Sequence, residues 1–355
     1  MGEGLIVRRG GQAYKLPVLN ESYPQDAMVV ASAGASAAFS LVIAEPGNPA
    51  EYTYKWYKGG NLVSGATGPA LNLTGLTAAT TTNIYCEVTN KAGTVTSRVA
   101  TLTVQDWKPA YTYTGNAQLI DDGNYHWRIK FLTSGVLKFT SLGNGDSLDV
   151  FCLGGGGSPS NASGAKGGGG GGYTTTQKGV IAALNTDYPI VVGAGGTAAG
   201  VGGGQTSALG TVANGGGATV DTTNHQYDGC DGGCGGGAAN YSGNQPAGDG
   251  GSDGNDGGDG LSSSNSSGYL GKGGKGQGTT TREFGEATGT LYAGGGAGKN
   301  GGGGGGTNAG DGSGGEGGGA SQLVAAPANY GGGGSQAYPA GGSGIVVIRN
   351  HREAA

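Results

Sequence analysis

Cysteine, histidine and carboxylate side chains come closest together in one stretch, His225-Gln-Tyr-Asp-Gly-Cys230-Asp-Gly-Gly-Cys234. One imidazole, two thiolates and a carboxylate could together bind zinc, although a structural zinc site is normally closed by four ligands. A local disulfide between Cys230 and Cys234, or two reduced thiols in a loop, would use the same residues. The carboxylates Asp249, Asp253, Asp256 and Asp259 raise a calcium reading. The calcium-binding nonapeptide fails at Ser262, and the twelve-residue calcium loop fails at Gly257, so a solvated polar face is the better account. Nucleophilic and general-base catalysis find no motif: the histidines at 126, 225 and 351 lie far apart, and no Gly-Lys-Ser/Thr phosphate loop occurs. No catalytic residue, metal or cofactor is expected.

The elements that would position such groups are strands and bare backbone. Glycine supplies 86 of the 355 residues and proline 11, a composition in the range of low-complexity chains. Charged residues make up only 12% and the net charge is −5, which fits neither highly charged disorder nor a nucleic-acid surface. No stretch approaches the ~20 apolar residues of a membrane span. The amino terminus lacks the apolar core of a secretory signal, so assembly in a cytoplasm is expected.

Residues 1–27 read as a basic-apolar attachment arm carrying Arg8, Arg9 and Lys15. Between 28 and 105, short alternating segments are separated by turn signals such as Pro46-Gly-Asn-Pro49, Gly59-Gly60 and Asn90-Lys-Ala-Gly93. That spacing predicts an antiparallel β-sandwich. The segment resembles an immunoglobulin-like domain, with Trp56 as its core tryptophan and Cys86 on a late strand. It departs at the partner cysteine, where Phe39 and Leu41 stand, so no inter-sheet disulfide is expected. Residues 106–110 read as a linker.

From 111 to 350 the strand-like runs 126–132, 136–140, 147–153, 188–192 and 344–349 frame glycine runs at 154–157, 167–172, 301–306 and 331–334. Glycine loses more entropy on folding than any other residue, and a helix through these runs is excluded by propensity. A glycine run can instead adopt a threefold extended helix rising about 3.1 Å per residue, without internal hydrogen bonds. Bare backbones packed side by side could then satisfy one another through N–H···O and Cα–H···O contacts. Gly248, Gly251, Gly254, Gly257 and Gly260, then Gly312, Gly315 and Gly318, hold a three-residue period that suits this geometry. The strands at both ends of the region suggest that it is clamped in a sheet scaffold.

The ordered series Trp127-Arg-Ile-Lys-Phe-Leu-Thr-Ser-Gly135, Leu148-Asp-Val-Phe-Cys-Leu-Gly-Gly-Gly-Gly157, Gly168-Gly-Gly-Gly-Gly-Tyr173, Tyr188-Pro-Ile-Val-Val-Gly-Ala-Gly-Gly196 and Gly341-Gly-Ser-Gly-Ile-Val-Val-Ile-Arg349 resembles the glycine-rich domain of bacteriophage and prophage tail proteins. The resemblance implies an all-β fold, an immunoglobulin-like sandwich followed by a strand scaffold holding polyglycine-II-like segments, with Trp127 in its core beside Trp56 and Cys86 in the first domain. It further implies a non-enzymatic virion protein of tail-fibre or tail-tip type, with other virion proteins as partners. A homo-oligomer, a trimer as first guess, and a host-surface glycan complete that picture. A capsid or neck decoration protein and a bacterial surface adhesin are the alternatives. Tyr227, Tyr241, Tyr269, Tyr292, Tyr330 and Tyr338 stand singly among Gly, Asn and Ser. Each either plugs a gap over glycine backbone or, on a rigid loop tip, offers a ring to a sugar at low entropic cost.

Overall fold

The computed structural model describes residues 6–9, 11–159, 167–198, 200–218, 228–239, 248–251, 281–298, 318–321, 324–335 and 337–352. The chain divides into two compact units, Met1–Pro109 and Ala110–Ala355. Both are built from strands, with a single three-residue 3-10 turn, Glu283–Gly285, among the described residues.

The first unit holds β1 (Ile6–Arg9), β2 (Gln12–Lys15), β3 (Val18–Leu19), β4 (Ala27–Val30), β5 (Ser36–Ser40) and β6 (Ile43–Glu45). It continues with β7 (Thr53–Lys58), β8 (Asn61–Leu62), β9 (Ala70–Thr74), β10 (Thr80–Asn90), β11 (Gly93–Thr96) and β12 (Ala100–Gln105). The large sheet runs β4-β12-β10-β7-β8 with β11 on β10, and β5-β9 forms a separate pair. Alternation along β10 sends Ile84, Cys86 and Val88 inward. They meet Trp56, Leu102 and Val104 from their own sheet and Phe39 and Leu71 from the β5-β9 pair. Cys86 lies opposite Trp56 across the β7-β10 ladder, and Trp56 Nε1 donates to Gly68 O at 2.9 Å. Phe39, 2% exposed, fills core volume near the position where a second cysteine would bring a disulfide.

The first 27 residues are not a separate arm. β1 and β2 form a hairpin, β3 pairs with β6, and β4 joins the large sheet beside β12. Lys15 bonds Glu45 at 3.1 Å, and its carbonyl accepts from Asn90 Nδ2 at 2.8 Å. Arg8 is exposed on the hairpin, and Arg9 occupies its last β1 position.

The second unit holds β13 (Ala110–Tyr113), β14 (Ala117–Gly123), β15 (His126–Phe131), β16 (Gly135–Ser141) and β17 (Leu148–Leu153). After these come β18 (Thr174–Val180), β19 (Tyr188–Ile190), β20 (Thr206–Ala208), β21 (Thr211–Ala213) and β22 (Ile345–Asn350). A five-stranded sheet runs β14-β15-β22-β17-β18, a three-stranded sheet β13-β16-β19, and β20-β21 is a ribbon. The last strand thus enters the middle of the sheet, antiparallel to both neighbours. β17 and β22 are buried along their whole length, which explains their unbroken apolar runs. Trp127, Phe131, Leu137 and Phe139 are fully buried in this unit, while Phe284 and Tyr292 pack against Phe151 and Val347.

Between β17 and β22 the glycine runs build a bundle. Residues 167–173 lie at its centre, and their amides donate to three neighbours in rotation. Gly168, Gly169 and Gly170 reach the carbonyls of Gly237, Gly334 and Gly217; Gly171, Gly172 and Tyr173 then reach Cys234, Gly331 and Asn214, all at 2.7 to 3.2 Å. The carbonyls repay the pattern, accepting from Cys230 and Gly233, from Gly154 and Gly157, and from Gly296. Six segments therefore surround the central one: 154–158, 214–218, 229–233, 234–239, 293–298 and 331–335. Bonds that rotate to a new neighbour with each residue and repeat after three are the signature of a threefold extended helix, not of a flat sheet.

No side chain fits inside. A Cβ on Gly171 would stand 1.8 Å from Ala293 O, one on Gly172 2.0 Å from Gly154 O, and one on Gly156 1.9 Å from Gly332 O. The Cα–H groups point at those carbonyls and supply the weak hydrogen bonds that close approach allows. Of the sequence's period-three glycines, Gly254, Gly257, Gly260, Gly312 and Gly315 lie outside the described residues.

Candidate functional site at the distal end of the glycine bundle

The bundle has two ends of different character. At one end its segments are spliced directly to strands: Gly154 follows β17, Tyr173 precedes β18, Asn214 follows β21 and Gly344 precedes β22. Gly154 donates to Tyr173 O at 3.0 Å and Gly344 to Gly193 O at 2.9 Å, so these residues sit level with one another. The partner pairs then fix direction. Residues 154–158, 214–218, 234–239, 293–298 and 331–335 all run antiparallel to 167–173, and hence away from the sheet.

Two turns are described at the distal end. Gly200 donates to Pro159 O at 2.7 Å, and Val201 to Ala198 O at 3.1 Å. Ser158 and Val201 are locked together, Oγ to carbonyl at 2.9 Å and amide to Oγ at 2.8 Å. Ser335 closes the other described turn: its amide reaches Tyr338 O at 2.9 Å, while its buried Oγ accepts from Tyr338 N at 3.2 Å and donates to Ser321 O at 2.7 Å. This holds Ala337, Tyr338 and Pro339 out in solvent, with Tyr338 39% exposed. Gly167 faces Asp228, and Gly298 faces Ala238.

The six tyrosines separate accordingly. Tyr338 stands on a pinned distal turn. Tyr227, Tyr241 and Tyr269 lie outside the described residues. Tyr330 is 38% exposed but sits at the sheet end, its carbonyl accepting from Ala293 N at 2.9 Å and its ring 5.5 Å from that of Tyr292. Tyr292 is no surface contact: it is 2% exposed, packs on Phe151 and donates its hydroxyl to Glu283 Oε1 at 2.7 Å. The Glu283 carboxylate that its phenol can reach inside the core keeps it there. Trp56, Cys86 and Trp127 are each fully buried.

Sequence reasoning missed the charged cluster at the sheet end. Glu283 takes Arg128 Nη1 and Lys130 Nζ at 2.5 Å each. Arg128 Nε also spans both oxygens of Asp122 at 2.9 Å, and Arg352 reaches Asp122 at 2.5 Å. Burial opposes ionisation of Glu283, but the bonds from Lys130 and Tyr292 and the charge of Arg128 outweigh it and hold the carboxyl below its usual value. Asp122 behaves alike, with burial overcome by Arg128 and Arg352. Burial, aided by the nearby carboxylate, pushes the Tyr292 phenol far up. Arg349 is clamped between Asp149, at 3.0 Å, and Glu286. Glu283 and Glu286 pair with Arg128, Lys130 and Arg349 and so tether residues 281–292 to the sheet, which is an anchoring role. The available signal was Thr281-Arg-Glu-Phe-Gly285, a charged and aromatic group between glycine-rich stretches.

Cys230 and Cys234 are buried at 2% and 0% exposure in adjacent bundle segments, while His225 lies outside the described residues. Among the described residues no three His, Cys, Asp or Glu side chains gather in a way that could hold a metal ion. No described helix is long and apolar enough to cross a membrane.

No curated protein matches the chain. Among solved structures it is similar to the Bacteroides ovatus mixed-linkage glucan utilization locus protein SGBP-B, solved in complex with a mixed-linkage heptasaccharide. That likeness covers 62% of this chain and 71% of the other at 12% identity, with a TM-score of 0.19, too low to carry any argument. The glycine-rich domain family matches residues 132–351, from the end of β15 through the bundle to β22 and more than half of the sequence. The chain belongs to the glycine-rich domain family.

Proposed function

We propose that this protein is a non-enzymatic structural component of a bacteriophage virion, of the tail-fibre or tail-tip type, which presents the distal end of its glycine bundle to a host-surface glycan. The observation that carries the reading is the polarity of the bundle. Strands set the register at one end, and the described reversals at Ser158–Val201 and Ser335–Tyr338 lie at the other, on a backbone lattice that leaves no room for a side chain. A post with turns at its tip suits display better than catalysis, and its exposed Tyr338 offers a ring on a turn whose backbone is pinned. The resemblance to phage tail glycine-rich domains points the same way. Other virion proteins would be its partners, and self-assembly into a homo-oligomer, a trimer by that analogy, would place several tips side by side. The protein would then be assembled in the host cytoplasm and reside in the virion.

Adsorption competition tests the proposal. Excess intact protein should block particle attachment to host cells, and the Tyr338→Ala variant should block it less well at equal dose. Undiminished adsorption at saturating protein, or labelled imaging that places the chain away from the tail, would overturn it. Release of sugar from host envelopes by the purified protein would contradict its non-enzymatic character.

A further inference from the structure

The first unit carries a second surface whose chemistry the bundle does not explain. In the large sheet, odd-numbered residues of β10 face solvent. There Tyr85 stacks on Tyr57 of β7, ring centroids 4.7 Å apart and planes within 9°. Leu62, paired with Tyr57 across β7-β8, is 58% exposed. Val99, one residue before the Ala100 that pairs with Ile84, is 51% exposed. Leu62, Tyr57, Tyr85 and Val99 thus form an apolar row crossing the sheet, about 14 Å long at the usual interstrand spacing.

Beside this row lies a groove of about 430 Å³ lined by Gly59, Gly60, Thr81, Thr82, Asn83, Tyr85 and Val99. Its walls combine an aromatic ring, an aliphatic side chain, the Thr81 hydroxyl, a carboxamide and the bare backbone of the β7-β8 turn. No ionisable side chain other than the phenol lines it. The charges on the far side of the tyrosines are opposed: Lys55 lies across from Glu87, whose carboxylate also accepts from Tyr57 at 2.8 Å. An anionic polymer would find no cation here, and a lipid chain would strand Thr81 and Asn83. A sugar ring has what the groove asks for, C–H faces for Tyr85 and Val99 and hydroxyls for Asn83 and Thr81.

We infer that this groove binds a neutral carbohydrate unit, with Tyr85 as the stacking platform and Asn83 and Thr81 as the hydrogen-bonding groups. The site stands independently of the bundle tip and would give the protein a second contact with a polysaccharide-coated surface. Weak contacts at two points on one chain strengthen each other through effective concentration.

Isothermal titration of the intact protein with neutral tetrasaccharides of glucose, mannose, galactose and N-acetylglucosamine is the test, with a sulfated tetrasaccharide alongside. At least one neutral probe should bind saturably. Tyr85→Ala and Asn83→Ala should each lower its affinity about tenfold, the equivalent of about 1.4 kcal/mol. Because Tyr85 is half-buried, Thr81→Lys provides a variant at an exposed position that blocks the groove without touching the core, and it should abolish binding with an unchanged thermal midpoint. Saturable binding of no neutral probe, binding of the sulfated probe alone, or affinity unaltered by all three substitutions would overturn the assignment. A loss that follows Tyr338→Ala instead would assign the sugar to the bundle tip and equally overturn it.

Discussion

Replacing Gly171 with alanine puts the bundle's packing to a quantitative test. The added Cβ would sit 1.8 Å from Ala293 O, where real contacts do not fall below 3.0 Å, so the 293–298 segment must retreat by about 1.2 Å. Gly296 N donates to Gly169 O at 2.8 Å in that contact, and such a retreat breaks the bond. Losing one net hydrogen bond and stranding a buried donor and acceptor costs about 1 kcal/mol plus about 1–3 kcal/mol for each orphaned group. Against this, alanine gains only about 0.4–1 kcal/mol by stiffening the unfolded chain. The balance is a loss of about 4 kcal/mol, or about 8–16 °C in midpoint for a unit of this size. Gly202 is the internal control: it is exposed in the same bundle, its nearest prospective neighbour is 3.4 Å away, and alanine there should be neutral or slightly stabilising. Differential scanning calorimetry supplies the midpoints, and hydrogen-exchange mass spectrometry locates the damage at 167–173 and 293–298. Equal midpoints and equal amide protection in the two variants would refute the claim that bare backbone is the packing surface.

Glu283→Ala should cost about 2–3 kcal/mol, less than a fully buried pair because Arg128 and Lys130 keep about a fifth of their surface in water, and amide exchange should rise selectively at 281–292. Lowered native values at Glu283 and Asp122 mean that their contributions are complete above the ordinary values of 4.5 and 3.8 and disappear as pH falls through the lower native ones. The unfolding midpoint should therefore hold steady from neutrality down to about pH 4.5 in Glu283→Ala and wild type alike with respect to these two groups, and fall more steeply below that in wild type; parallel acid limbs would contradict it. Burial pushes the Cys86 and Cys152 thiols up to about 12, so neither should react with a disulfide reagent at pH 8 until the protein is unfolded.

The sandwich was legible because its signals are local. Period-two alternation marks β10 as half-buried from six consecutive residues, and Trp56 and Cys86 fall on its inward side and that of its neighbour. Strands flanking the glycine region likewise announced a scaffold, since β17 and β22 are continuous apolar runs. The pairings inside the bundle were not legible. Gly168 bonds Gly237 and Gly172 bonds Gly331, yet nothing distinguishes these glycines from others as letters. The three-residue rhythm is real but lives in the direction of the hydrogen bonds, whereas inside 167–172 the sequence is uniformly glycine. Which of the two roles Tyr292 takes was illegible for a similar reason: the groups it meets in the core, Glu283 beside it and Lys130 from β15, come together only after folding. The amino-terminal stretch misled because Val18–Leu19 is too short to display any period, although its pairing with β6 is enough to bind it to the sandwich.

A lattice of identical residues raises a problem of register. In an ordinary sheet a one-residue slip exposes the wrong side chains, and that penalty fixes the pairing. Glycine offers no such penalty, since any three-residue shift restores the same bonds. The register must come from the ends, and the splices show how. The amides of Gly154 and Tyr173 lie one residue beyond strands already paired through Leu153↔Thr174, and Gly344 lies one residue before the Ile345 that pairs with the same Leu153. Each bundle segment that leaves β17, β21 or enters β18 and β22 thus starts at a height set by an ordinary, side-chain-specified ladder. Segments 229–239 are spliced to no strand, and there side chains replace the ladder: buried Cys234 packs with Phe151 and Val347, and the exposed Asp231 accepts at Oδ1 from Asp249 N at 2.8 Å. The sheet is therefore the jig on which the lattice is aligned, which is why the last strand must return to its centre. At the opposite end the described turns are held by hydroxyls instead, Ser158 bonding Val201 and Ser335 bonding Tyr338 and Ser321, so side chains fix the lattice wherever the ladder does not reach.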